Sequence, residues 1–235
     1  MKTLLLSTYE LGHQPFNLAS PAAYLLRAGH EVRCLDLAVQ ELDAAQALAA
    51  EFIAISTPMH TALRLGVPLA RRVRAINPRA HVCFFGLYAG LHAEYLLQNA
   101  ADFVIGGEFE EAMVALVHTL AQRDIAPGFN TPLKGGIYRD APRHDSSLER
   151  GVLARINTLE TRNTHTNTRN LTQFPRQQFH LPARQLLPPL AHYAHLLIAG
   201  ERRLAGYVEA SRGCAHHCRH CPITPVYAGR VRLVQ

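Results

Sequence analysis

A chain of 235 residues that is 48% hydrophobic is long enough to bury a core without help from disulfides or a structural metal. No apolar run approaches the roughly 18 residues of a membrane helix, and Ser7, Thr8 and Glu10 interrupt the opening "MKTLLLSTYE" too early for a signal peptide, so the expectation is a cytoplasmic protein with no membrane partner and reduced thiols. The formal charge of +6 is uneven: residues 1–138 carry ten Lys and Arg against twelve Asp and Glu, and residues 139–235 carry fourteen against six. The basic excess is scattered and aromatic platforms are few, so it reads as a solvated surface or the neighbour of an anionic cofactor rather than a nucleic-acid interface.

Taken in chain order, the first 122 residues alternate strands with helices. "KTLLLS" is a short apolar run suited to a buried strand. "NLASPAAYLLRAGHEV" has apolar residues at helical spacing and a terminator at Gly29. "VRCLDL" is a second strand, and "DAAQALAA" a short helix with Asp43 as its N-cap. "FIAIS" is a third strand. "HTALRLGVPLARRVRAIN" is helical, with Gly66 and Pro68 expected to kink or split it. "HVCFFGL" is a fourth strand, "HAEYLLQN" a short helix, "DFVIGG" a fifth strand, and "EFEEAMVALVHTLAQR" an amphipathic helix with acids in its first turn. This alternation predicts an α/β domain over residues 1–122: a flavodoxin-like (Rossmann-type), doubly wound parallel sheet of about five strands. Cys34 and Cys83 fall inside strands and read as core.

Residues 123–180 are turn-rich and polar, and read as a linker or irregular segment. From Leu181 the composition changes again. "LPPLAHYAHLLIAGERRL" is expected to hold a short helix, and "GYVEAS" a strand leading into the cysteine-rich "SRGCAHHCRHCP". No internal repeat is visible.

Two features carry chemistry. The loops after strands one, three, four and five ("TYELGHQP", "STPMH", "GLYAG", "GGE") gather small, polar and glycine residues on one edge of the sheet, where doubly wound folds bind ligands. That pattern favours a cofactor crevice over plain turns. The second feature is Cys214, Cys218 and Cys221, spaced Cys-x3-Cys-x2-Cys. Three thiolates on one tight loop can hold three irons of a cubane cluster and leave the fourth iron open. His216, His217 and His220 keep zinc in play, although structural zinc prefers two ligand pairs and no second thiol pair is present. The residues therefore favour an iron–sulfur cluster, with a flavodoxin-like ligand-binding module carrying a structural zinc site as the alternative.

The motif Cys-x3-Cys-x2-Cys after an "SRG" lead-in resembles the radical S-adenosylmethionine (radical SAM) superfamily. The preceding domain, through "STYELGHQP", "PMHTA", "GLYAG" and "GGEFEEA", resembles the cobalamin-binding domain of cobalamin-dependent radical SAM proteins. "EASRGCAHHCRHCPITPVYAGR" is also similar to a subgroup with a Cys-Cys-Ala-Glu-Pro or selenocysteine-containing C-terminal tail (CCAEP/CUAEP), though that tail is not in this sequence. The resemblance implies a [4Fe-4S] cluster on Cys214, Cys218 and Cys221, S-adenosylmethionine bound at the open iron, and one-electron cleavage to a 5′-deoxyadenosyl radical. It implies cobalamin in the first domain, with Ser56, Thr57, Gly86, Gly106 and Gly107 at its nucleotide tail. The electron would come from a donor such as flavodoxin or ferredoxin, and the substrate, small molecule or peptide, stays unassigned. In "YELGHQPFN" the Asp and Gly that flank a cobalt-ligating histidine are missing, so His13 reads as an ordinary loop residue, and His30, His60, His81, His92 and His118 read as surface or helix-end residues. Arg212 and the later arginines either offset the charge of a cluster or sit on a solvated surface. A full barrel takes on the order of 200 residues, so residues 181–235 are expected to hold only the truncated start of a radical SAM barrel. On that reading the chain is the N-terminal part of a longer enzyme, a fragment inactive alone, with residues 205–235 loosely packed or docked on the first domain.

Overall fold

A computed structural model describes residues 1–122, 137–139 and 178–234. The expected βα alternation is present: β1 (Lys2–Ser7), α1 (Phe16–Arg27), β2 (Glu31–Asp36), α2 (Ala44–Ala49), β3 (Phe52–Ser56), α3 (His60–Ile76), β4 (His81–Phe85), α4 (Leu87–Leu91), α5 (Ala93–Asn99), β5 (Phe103–Ile105) and α6 (Glu110–Gln122). The five strands pair in parallel in the order β2-β1-β3-β4-β5, and β6 (Ile137–Arg139) adds an antiparallel edge beside β5.

Both faces of the sheet are buried, as its near-continuous apolar strands require. Leu5, Cys34, Phe52, Ala54, Cys83, Phe85 and Phe103 pack with α1 and α6 on one face. Leu4, Leu6, Ile53, Ile55, Val82, Phe84 and Val104 pack with α2 to α5 on the other. The chain order reverses between β1 and β3, so the crevice of a doubly wound fold lies at their carboxyl ends. Cys34 and Cys83 are buried, and burial pushes the Cys34 thiol up to about 12.

Local signals explain most boundaries. Asp43 accepts hydrogen bonds from the Ala45 and Gln46 amides at 2.9 and 3.1 Å, capping α2 as expected. Gly29 takes φ +82° just past the end of α1. The expected break in α3 does not occur: it is one helix of 17 residues. A Cβ on Gly66 would stand 3.0 Å from the Phe84 ring and 3.1 Å from Ile55, so the glycine lets α3 lie directly on β3 and β4. Ala62, Leu63, Val67, Ala70 and Val73 are buried against the sheet on either side of Pro68 and carry the helix through it.

The segment after residue 122 departs from expectation in three places. Residues 123–136 and 140–177 of the supposed linker lie outside the described residues, but Ile137–Arg139 is a strand. In place of a helix, residues 181–204 form two single 3-10 turns (Arg184–Leu186 and Leu190–His192) and a hairpin, β7 (His195–Ile198) with β8 (Glu201–Leu204). Pro188 and Pro189 supply no N–H donors, and Ala199 and Gly200 take φ +50° and +84°, which turns the apolar run back on itself. "GYVEAS" is not a strand either. Residues 205–210 are irregular because they are engaged on the first domain: Tyr207 stacks on His13, and its carbonyl accepts from Arg184. The strand starts later, as β9 (Ser211–Gly213), and pairs antiparallel with β10 (Val231–Leu233) across α7 (Ile223–Tyr227). Among the described residues no helix is long and apolar enough to cross a membrane.

Candidate functional site

Ser56, Thr57, Gly86, Gly106 and Gly107 come together at the carboxyl ends of β3, β4 and β5. Thr57 is fully buried and acts as a strut: its amide and its hydroxyl each donate to the Phe85 carbonyl at 2.8 Å, and its own carbonyl accepts from the Tyr88 amide at 3.0 Å. Ser56 is 1% exposed, and its hydroxyl has no protein partner. Gly86 takes φ +104° where a Cβ would stand 3.2 Å from the Thr57 carbonyl oxygen. Gly90 and Gly106 meet so closely that a Cβ on either would lie 2.9 Å from the other's Cα. These contacts let α4, which the sequence reading treated as a loop, begin directly after Gly86.

At the β1 end the edge is lined by acids. Glu10 is 8% exposed and uses one carboxylate oxygen to accept from the Phe16 amide at 3.1 Å and the Asn17 side chain at 3.2 Å. It thereby caps α1, whose preceding Pro15 has no capping side chain. Its other oxygen has no protein partner. Burial pushes the Glu10 carboxyl to about 7, against those hydrogen bonds. Asp36, at the end of β2, is also raised by burial, although the Ala38 amide donates to it at 3.1 Å.

The cysteine loop sits on the same edge. Cys214 and Cys221 are half-buried, Cys218 is exposed, and all three are free thiols. The Cys218 carbonyl accepts from the Cys221 amide and the Thr224 hydroxyl, both at 3.2 Å, which tightens the loop into α7. Packing of α7 runs against α4, and a Cβ on Gly107 would be 3.8 Å from Val226. Among the described residues no three Cys, His, Asp or Glu side chains are gathered as a metal-ligand group.

Two ion pairs, one buried and one half-buried, fasten the loop to the first domain. Arg212, on β9, reaches both oxygens of Glu110 at 2.9 and 2.5 Å and donates to Glu209 at 2.8 Å. Ser20 on α1 donates to Glu110 at 2.7 Å. The Arg212 guanidinium also lies over Phe179 and Phe109, at 5.0 and 5.7 Å from the ring centroids. Burial pushes Glu110 up, but Arg212 wins and holds its carboxyl below the ordinary range. Arg232 on β10 donates to Glu108 at 2.7 Å. Arg212 is therefore neither a solvated residue nor a free counter-charge for a cluster, as the sequence reading allowed. Its charge is taken up by Glu110 and Glu209, and of the two expectations for residues 205–235 docking is the outcome. Glu110 looked like any first-turn helix acid; its partner lies 102 residues away, and no local pattern announces it.

Residues 2–117 match the B12 binding domain family. The match runs from β1 into α6, the span of the parallel sheet. No curated protein matches the sequence. Among solved structures, the whole chain superimposes on 43% of the radical S-adenosylmethionine methyltransferase TsrM from Kitasatospora setae, solved with tryptophan substrate and the SAM analogue aza-SAM bound, with a TM-score of 0.63 and 14% identity. The chain thus spans less than half the length of that protein. The family match agrees with the cobalamin-binding domain that the sequence resembles, and the structural likeness with its fold.

The residues of the B12-binding domain suit its cofactor. The orphaned Ser56 hydroxyl at the end of β3 is a buried polar group that a cofactor's polar tail would satisfy. His13 stacks on Tyr207, with ring centroids 5.7 Å apart and planes inclined at 20°.

Proposed function

We propose that this chain is the cobalamin-binding part of a cobalamin-dependent radical SAM enzyme, and that Cys214, Cys218 and Cys221 hold a [4Fe-4S] cluster beside it. The observation that carries this reading is the seating of a three-thiol loop on the same sheet edge as the buried Ser56 and the glycine turns of the B12-binding domain. The donor set supports a cluster: three soft thiols within eight residues suit iron–sulfur ligation, and the loop has no second thiol pair to close a zinc site. When bound, the cluster would supply one electron for reductive cleavage of S-adenosylmethionine, and cobalamin a second reactive centre.

The chain's own residues have separate tasks. Ser56 would bind the buried tail of cobalamin, Thr57 would brace the β3 and β4 ends, and Gly86, Gly106 and Gly107 would set the close-packed turns that shape the edge beside the cofactor. The α7–α4 contact would exclude water between the two cofactors. The whole enzyme's substrate, its electron donor (of the flavodoxin or ferredoxin class) and its S-adenosylmethionine chemistry belong to this proposal.

Anaerobic reconstitution with iron and sulfide tests it. The wild-type chain should turn brown, with broad thiolate-to-iron absorption, and Cys218→Ala should lose most of that absorption while still retaining hydroxocobalamin on desalting. A colourless wild-type protein holding zinc would overturn the cluster assignment.

A further inference from the structure

The two ion pairs under the cysteine loop form a matched set. Arg212 and Arg232 are direct cross-strand partners on β9 and β10. Like charges placed opposite one another on paired strands repel, so this placement calls for compensation. It comes from Glu110, the first residue of α6, and Glu108, two residues before it in the preceding loop, each taking one arginine. Arg212 and Glu110 side chains are 5% and 0% exposed, and Arg232 and Glu108 are 15% and 8% exposed. Buried pairs of this kind add little net stability, because desolvation offsets the attraction, yet breaking one by removing a single partner is severe. Their geometric demand is high: the Arg212 fork must meet both Glu110 oxygens while Ser20 and Glu209 hold the two sides. Arg212 stands two residues before Cys214, and Arg232 one strand pairing away.

We infer that Arg212–Glu110 and Arg232–Glu108 form a two-point positioning joint that fixes where the three-cysteine loop stands over the carboxyl edge of the B12-binding domain. The joint is a property of the chain itself; that it sets the separation of a cluster from cobalamin rests on the proposed function. Two attachments on neighbouring strands prevent the loop from both sliding and pivoting, which one pair could not do. The four residues act through the loop and touch no reacting atom.

Hydrogen exchange on the protein without cofactors tests the joint alone. In Glu110→Gln and Arg212→Gln, amides of β9 and β10 should exchange about a hundredfold faster than in wild type, while β1, β3 and β4 keep wild-type rates. Undocking returns the orphaned charge to water, so the sheet survives; Glu108→Gln is a milder variant on the second pair and should show the same pattern at smaller amplitude. Wild-type exchange on β9 and β10 in all three variants would overturn the joint. A second measurement reads position. With cob(II)alamin bound and the cluster reduced, the wild type should show mutual broadening of the two electron-spin signals. Glu110→Gln and Arg212→Gln should load both groups and lose or smear that broadening. Unchanged broadening would overturn the positioning role. A wild type that loads neither group would instead refute the proposed function and leave the exchange result to decide the joint.

Discussion

Glu10 shows how one buried carboxyl both serves the fold and burdens it. Its capping oxygen satisfies α1 backbone amides that Pro15 cannot reach with a side chain, while its second oxygen is buried without a partner. Its carboxyl is raised from an ordinary 4.5 to about 7. The folded chain therefore keeps a proton that the unfolded chain has released, so the associated stability is present below about pH 4.5 and lost as pH rises through about 7. The expected loss across that window is about 2–3 kcal/mol. Glu10→Gln keeps an accepting oxygen but cannot ionise, so its urea-unfolding stability should change correspondingly less between pH 4.5 and 7.5 than that of wild type. Equal pH slopes in the two proteins would show that Glu10 does not titrate in this range. Glu110 behaves with the opposite sign, because Arg212 holds it low: its contribution is present above the ordinary carboxylate range and disappears on acidification.

The elements show where sequence patterns succeed and where they stop. Strands β1, β3, β4 and β5 are legible as short apolar runs that are almost wholly buried, β2 through its buried Cys34, Leu35 and Asp36, and α2 and α6 because Asp43 and the acids at 110–111 mark their first turns. The unbroken α3 was not legible, since Gly66 is a breaker in isolation and a close-packing residue against Phe84 and Ile55. The hairpin β7–β8 was missed for a related reason: an apolar run such as Leu196–Ile198 fits helix or strand, and Ala199–Gly200 decides the matter by turning the chain. At the candidate site, the glycine loops and the cysteine spacing could be read, whereas the ion pairs between residues 108–110 and 212–232 depend on contacts over more than a hundred residues. The turn from β4 into α4 gives an element-scale prediction. Gly86→Ala, at φ +104° and with the new Cβ 3.2 Å from the Thr57 carbonyl oxygen, should destabilise the domain by about 1–2 kcal/mol in urea unfolding and weaken hydroxocobalamin retention. Full stability with full retention would remove Gly86 from the site.

At the scale of the whole molecule, the described residues place the first domain and a three-thiol loop on one edge, held by two ion pairs and by Ala183 and Leu187 packed into the first domain's core. Apolar side chains remain exposed in the C-terminal region, with Leu197 at 69% on β7, Val208 at 78% in the irregular stretch and Leu233 at 70% on β10. The uneven charge of the sequence acquires a structural meaning here, because two of its C-terminal arginines are spent on acids of the first domain. On the proposed function, this single chain brings cobalamin and an iron–sulfur cluster to the same sheet edge. Elemental analysis of the anaerobically reconstituted chain, after incubation with iron, sulfide, zinc and hydroxocobalamin and removal of unbound species, tests it most directly. Roughly one cobalt and about four irons per chain, with zinc at background, are expected; zinc bound without cobalt or iron would refute the assignment.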